Sequence, residues 1–327
     1  MKKKVLVTRA VFDETLAYLA EHFDVTSNQA DAKPAPDELA AKLQGMDATL
    51  VSSSDRVDDA LLARIPSVKA VCSVSVGYNH IDVAACTRRG LMVTNTPGVL
   101  TNSVADFAVC LTMATCRRLT EGEAMLRRGE WEGTHLKELL GVDLHHATVG
   151  ICGFGRIGQM IAQRLQGFEA KILYSCRNRV PPAVEAGVKA TYTAKDDLLR
   201  QADIVILILP YSQETHHYIG ARELGLMKRT GVLINMARGG IVDDTALVEA
   251  LKAKRIFAAG LDVYENEPKV NPGLFGLTNV VLSPHIASAS EPTRQGMAMT
   301  AAKNCVAALT TGRPPNIVNP EVLKQSA

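Results

Sequence analysis

The run GICGFGRIG at residues 150–158 constrains this chain more than any other. Gly153, Gly155 and Gly158 spell G-x-G-x-x-G, directly after the apolar run TVGIC and before the helical pattern RIGQMIAQRLQGF. In that setting the first glycine permits a tight turn, the second lets the backbone approach a pyrophosphate, and the third lets helix and strand pack closely. The N-terminus of the helix then offers unpaired N–H groups and a favourable dipole to phosphates. The segment predicts a dinucleotide-binding βαβ unit whose turn is Gly153, Phe154, Gly155, Arg156, Ile157 and Gly158.

The pattern on either side extends that expectation. Apolar runs alternate with amphipathic stretches from KVLVT to LMVTNTP, and again from ATVGICGFG through KILYS, VKATY, DIVILILP, GVLINMA, IFAAGLDV and NVVLSP. Strands alternating with helices at this spacing imply parallel sheets covered on both faces. The fold class expected is α/β, with two doubly wound parallel-sheet domains: a Rossmann coenzyme domain, and a smaller flavodoxin-like domain from the first series. A length of 327 residues suits two domains. Asn102 to Arg128 reads as one long connecting helix capped at Asn102 or Ser103, and the stretch from Glu291 is helical again.

Composition excludes several classes. With 36 basic and 34 acidic residues the net charge is +2, which gives no reason to expect nucleic-acid or membrane binding. The longest apolar stretch, Val104 to Ala114, is interrupted by Asp106 and is too short to span a bilayer. The seven cysteines are scattered without a CxxC pair, so they read as free thiols of a cytoplasmic protein, with no metal site. His145-His146 and His216-His217 read as surface or loop residues.

At residues 174–179, YSCRNR, the usual acid for the ribose 2′-hydroxyl is missing. Ser175 stands in its place, followed by Arg177, Asn178 and Arg179. A guanidinium fork suits a phosphate through paired, charge-assisted hydrogen bonds. The expectation is NADP(H) in preference to NAD(H), with Arg177 the first candidate for the 2′-phosphate and Arg179 the second.

The reacting groups are expected at strand ends. NMARGGIVDD sets Arg238 after one buried strand, with Asp243 or Asp244 capping the next helix. GLDVYENEP sets Asp262 and Glu267 after another, and LSPHIAS sets His285 after a third. Hydride addition to a carbonyl needs an anchor and a proton donor, and this set supplies both.

In order and spacing SVGYNHIDV, VADFAVCLTMATCRR, GICGFGRIG, NMARGGIVDD, AAGLDVYENEP and LSPHIAS resemble the D-isomer-specific 2-hydroxyacid dehydrogenase family, in its glyoxylate, hydroxypyruvate and 2-ketogluconate reductase branch. The resemblance implies that Arg238 holds a 2-oxoacid carboxylate and His285 protonates the carbonyl oxygen. Glu267 would hydrogen-bond the imidazole and keep it in its proton-donating form. Backbone N–H groups of Val76 and Gly77 would bind the other carboxylate oxygen, Asp262 would face the nicotinamide carboxamide, and Val104 would pack at the ring. Leu209, Pro210, Thr215, Met236, Ala237 and Ala287 complete the expected cofactor lining, with Arg238 and His285 at its edge. It also implies a homodimer and an inserted coenzyme domain: residues 1–101 and 290–327 for substrate, 102–289 for NADP, with a cleft between.

Rival family members fit less well. Formate dehydrogenases carry glutamine where this chain has Glu267, phosphite dehydrogenases carry lysine where it has Val76, and phosphoglycerate dehydrogenases often have a C-terminal regulatory domain. From another class, corepressor-like interaction proteins share the fold and would show little turnover.

Overall fold

The structure, a computed structural model, describes residues 2–324. In chain order the elements are β1 (Lys4–Val7), α1 (Asp13–His22), β2 (Asp24–Ser27), α2 (Pro36–Leu43), β3 (Ala48–Val51), α3 (Asp59–Arg64), β4 (Ala70–Ser73), α4 (Val83–Arg88), β5 (Met92–Thr94), α5 (Thr101–Cys116) and α6 (Leu119–Arg127). There follow β6 (Thr148–Cys152), α7 (Arg156–Leu165), β7 (Lys171–Ser175), α8 (Pro182–Gly187), β8 (Ala190–Tyr192), α9 (Lys195–Gln201), β9 (Ile204–Leu207), α10 (Ala221–Leu226), β10 (Val232–Asn235), α11 (Asp244–Lys252), β11 (Ala258–Leu261), β12 (Val280–Leu282) and α12 (Glu291–Thr310). The described residues form two compact units, one of residues 2–100 with 289–324 and the other of residues 101–288.

The first unit has a five-stranded sheet in the order β2-β1-β3-β4-β5, all parallel, which is the flavodoxin-like arrangement. Strand alternation divides its core: Leu6, Val51, Val71 and Val93 face Leu39, Leu62 and Cys86 of α2 to α4. Val5, Val7, Leu50 and Cys72 face Leu19 of α1 and Ala301 and Cys305 of α12. The sequence pattern passes over β2 and α2. β2 is an edge strand, mostly exposed, so it carries no apolar run to read.

The second unit has a seven-stranded parallel sheet, β12-β11-β10-β9-β6-β7-β8. Renumbered from β6, this is the Rossmann order with one strand added, and its switch point lies between β6 and β9. Leu173, Val205, Leu207, Leu233 and Leu261 pack one face against α9, α10 and α11. On this sheet α5 packs over β10, β11 and β12 and beside α7.

The single helix expected over residues 102–128 is two helices. α5 ends at Cys116, and Arg118, at φ 51, turns the chain into α6. Two interactions enforce the break. The Cys116 carbonyl accepts from the Val142 N–H at 2.9 Å, and the Arg118 guanidinium pairs with both Glu121 oxygens at 2.7 and 2.8 Å. Neither Asn102 nor Ser103 caps α5, which starts at Thr101: Asn102 accepts from Arg164 and the Ser103 hydroxyl donates to the Ala287 carbonyl. Among the described residues no helix is long and apolar enough to cross a membrane.

Candidate active site

The glycine turn sits at the carboxyl end of β6, beside the switch point. Gly153 has φ 94, and a Cβ on it would lie 2.8 Å from the Ile208 backbone. A Cβ on Gly158 would lie 2.4 Å from the Gly153 carbonyl oxygen, so α7 and the turn can touch only through a glycine. Gly155 is the N-cap of α7 and brings no side-chain cap, which leaves the first N–H groups of this helix open to an anion. Phe154 is buried and stacks on Tyr174 at 4.0 Å, Arg156 is exposed and Ile157 half-buried. These residues fit a dinucleotide pyrophosphate.

Around the turn, Leu209 and Pro210 follow β9, and the Thr215 hydroxyl donates to the Pro210 carbonyl at 2.9 Å and accepts from the Ser212 N–H. Met236 and Ala237 are buried after β10, Val104 is buried on α5, and Ala287 is buried after β12. Ser175 ends β7 and is buried, whereas Arg177 and Asn178 beyond it are exposed. The two arginines differ. Arg179 makes a forked pair with Glu185 at 2.7 and 2.9 Å and lies over the Tyr192 ring. Arg177 has no side-chain partner among the described residues.

Arg238, Glu267 and His285 follow β10, β11 and β12, three neighbouring strands, at their carboxyl ends. His285 Nδ1 and Glu267 Oε2 are 2.9 Å apart, and Glu267 Oε1 accepts from the Tyr264 N–H at 3.0 Å. Burial works to raise the Glu267 carboxyl, but the hydrogen bond and charge of His285 outweigh it, with help from the Tyr264 N–H and Arg238, and the net shift is downward. An ionised Glu267 accepts the Nδ1 proton and leaves Nε2 of the imidazole for another partner.

Arg238 is half-buried, and burial, offset by the charge of Glu267, pushes its guanidinium down from the ordinary arginine value. Its side chain donates to the neighbouring Ala237 carbonyl at 2.7 Å, and no carboxylate lies within ion-pair distance among the described residues. A desolvated cation without an anion is costly, and a carboxylate ligand would relieve it.

Asp262 does work that its position in the sequence does not reveal. It is buried at the end of β11; Oδ1 accepts from the Ser283 hydroxyl at 2.7 Å and the Ile286 N–H at 2.9 Å, and Oδ2 accepts from the Ala287 N–H at 3.0 Å. These bonds organise the turn that holds His285 at φ 54, an uncommon conformation for a residue with a side chain.

Of the two candidate caps, Asp243 caps α11 through the Ala246 N–H. Asp244 instead clasps the loop after β11: its Oδ2 accepts from the Glu265 N–H at 3.1 Å, and the Glu265 carboxylate accepts from the Asp244 N–H at 3.4 Å. His217 is an exposed turn residue, and its imidazole is engaged. It bonds Glu265 at 2.6 Å and stands 3.8 Å from Asp243.

In the first unit, Val76 and Gly77 are half-buried in the loop after β4, and their N–H groups have no partner among the described residues.

Hydride chemistry on a bound nicotinamide dinucleotide is the class that this combination of sheet, glycine turn and imidazole–carboxylate pair defines. Residues 109–287 match the model of the D-isomer specific 2-hydroxyacid dehydrogenase, NAD binding domain. The chain is 45% identical to a glyoxylate reductase of Thermococcus gammatolerans, covering 99% of this chain and 98% of that protein. It is 42% identical to glyoxylate/hydroxypyruvate reductase B of Escherichia fergusonii, over 99% and 100%. Among solved structures, an NADPH-dependent glyoxylate/hydroxypyruvate reductase from Sinorhizobium meliloti, in complex with NADP and malonate, aligns with a TM-score of 0.87 at 35% identity, covering 97% of each chain. The chain belongs to the D-isomer-specific 2-hydroxyacid dehydrogenase family and is an NAD(P)-dependent oxidoreductase. A corepressor-like protein with little turnover is not favoured.

Proposed function

We propose that this protein reduces small 2-oxoacids to D-2-hydroxyacids, with glyoxylate and hydroxypyruvate as first substrates, 2-ketogluconate within its range, and NADPH preferred over NADH. The observation that carries the reading is Arg238, a half-buried guanidinium without a carboxylate partner among the described residues, on the strand end beside the Glu267–His285 pair. Arg238 binds the substrate carboxylate, and in the first unit the N–H groups of Val76 and Gly77 are donors for a carboxylate oxygen. Bound NADPH supplies a hydride to the carbonyl carbon, and Gly153 to Gly158, Leu209, Pro210, Thr215, Met236, Ala237 and Ala287 hold the dinucleotide, with Val104 at the ring and Asp262 at the carboxamide. As the carbon accepts the hydride, the carbonyl electron pair moves to oxygen, and His285 Nε2 delivers the proton there. Glu267, fixed by the Tyr264 N–H, keeps the ring aimed and its positive charge balanced.

The choice of NADPH rests on the loop after β7. Ser175 brings no charge to repel a 2′-phosphate, and the exposed Arg177, without a side-chain partner among the described residues, is its partner, while Arg179 is engaged by Glu185. The relatives named above include an NADPH-dependent enzyme, which supports the same choice. Assembly as a homodimer in the cytoplasm completes the reading. Leu119, Leu126, Trp131, Leu136 and Leu140 are 55% to 93% exposed on and after α6, and a second copy would cover them.

The test is kinetic. Replacing Arg238 with alanine should raise the KM for glyoxylate at least tenfold, as expected for a lost charged hydrogen bond, while NADPH affinity measured by fluorescence stays within about twofold. An Arg238→Ala enzyme with unchanged KM would remove the anchor from this account.

A further inference from the structure

Three consecutive carbonyls of the loop after β4 are each held by a donor. The Ser75 carbonyl accepts from the Thr96 N–H at 3.0 Å, the Val76 carbonyl from Asn95 Nδ2 at 2.8 Å, and the Gly77 carbonyl from the Ser75 hydroxyl at 2.7 Å. In a trans peptide the N–H points opposite to the C=O of the same plane. Fixing the Ser75 carbonyl therefore aims the Val76 N–H, and fixing the Val76 carbonyl aims the Gly77 N–H.

The donors are themselves fixed. The Gly77 carbonyl can only accept, so the Ser75 hydroxyl donates to it and accepts in turn from the Ser73 hydroxyl at 2.7 Å, which leaves Ser73 to accept from His80 Nε2 at 3.2 Å. Asn95 has backbone support on both sides. Its N–H donates to the Asn316 carbonyl at 3.2 Å, and its carbonyl accepts from Nδ2 of Asn304, a fully buried residue of α12, at 2.9 Å. Asn304 Oδ1 accepts from Asn316 Nδ2 at 3.0 Å. A buried asparagine costs free energy unless its amide is satisfied, and here each amide is used to hold the next.

We propose that Asn95, through its hydrogen bond to the Val76 carbonyl and backed by Asn304, is a positioning residue that aims the Gly77 N–H at the substrate carboxylate. The inference rests on the 2-oxoacid reading above. Asn95 touches no reacting atom in this account; it sets the direction of a donor that does. Without it the 76–77 peptide can rotate, and the carboxylate loses one oriented N–H.

The experiment uses the full chain with NADPH bound. Steady-state reduction of glyoxylate, and inhibition by oxalate as an unreactive carboxylate, are measured for wild type, Asn95→Ala and Asn95→Leu, with NADPH affinity followed by fluorescence. In Asn95→Ala the glyoxylate KM and the oxalate inhibition constant should rise together, ten- to hundredfold, the loss that corresponds to a charged hydrogen bond. The kcat should change less than threefold and the NADPH affinity not at all. Asn95→Leu, which keeps the side chain's size but removes the donor to the Val76 carbonyl, gives the same pattern and serves as the test should Asn95→Ala fail to fold. A folded variant whose KM and oxalate constant stay at wild-type values, or one that loses NADPH affinity in equal measure, overturns the proposal. A wild type that neither turns over 2-oxoacids nor binds oxalate overturns the reading beneath it.

Discussion

At position 175 the dinucleotide fold presents a hydroxyl where a ribose-binding carboxylate commonly stands, and two residues on Arg177 is exposed with no side-chain partner among the described residues. A charge-assisted hydrogen bond is worth about 1.5–3 kcal/mol, so wild type should favour NADPH by one to two decades in kcat/KM. Ser175→Asp should narrow or reverse that ratio. Arg177→Ala should weaken NADPH and spare NADH, while Arg179→Ala should act mainly on the loop it ties to Glu185; the opposite ranking in a two-cofactor assay would exchange their roles. His285→Ala should lower kcat by about two to four decades, the usual contribution of a positioned general acid, and near-normal turnover would take the imidazole out of the mechanism. The placement of Arg238, Glu267 and His285 was legible in the sequence because each follows an apolar run, and strand ends of a doubly wound sheet are where ligands bind. Arg177 could not be separated from Arg179 there, since the Glu185 fork depends on how α8 packs back on the loop.

Elements hold these side chains through bonds that have no local signature. The clasp between Asp244, at the start of α11, and Glu265 fixes the loop that carries Glu267. Burial pushes the Asp244 carboxyl up to about 6, opposed by the Glu265 N–H and aided by the charges of Glu265 and Asp243, with His217 opposing. A carboxyl whose value is raised by folding binds its proton more tightly in the folded chain. Its contribution to stability is therefore complete below the ordinary aspartate value near 4 and is lost as pH rises to about 6. Asp244→Asn should remove that loss, so its melting temperature should gain on wild type across this window; parallel curves would show that Asp244 does not titrate there. The split of α5 from α6 was hidden for the same reason: residues 102–128 are helical in pattern throughout, and the break depends on Val142 and Glu121 reaching Cys116 and Arg118. The β2 edge carries too little apolar surface to be read at all.

For the whole molecule, the alternation of strands and helices was the most legible feature, because burial on both faces of a parallel sheet forces long apolar runs into the sequence. The apolar surface on and after α6 predicts a dimer in sedimentation velocity, and Leu126→Glu with Trp131→Glu should shift it to a monomer; a monomeric wild type would leave that surface unexplained. The account as a whole turns on a reaction. Wild-type protein mixed with a panel of 2-oxoacids, and with NADPH or NADH, should oxidise NADPH rapidly on glyoxylate or hydroxypyruvate and NADH more slowly. Absence of turnover with every 2-oxoacid and both cofactors would contradict it.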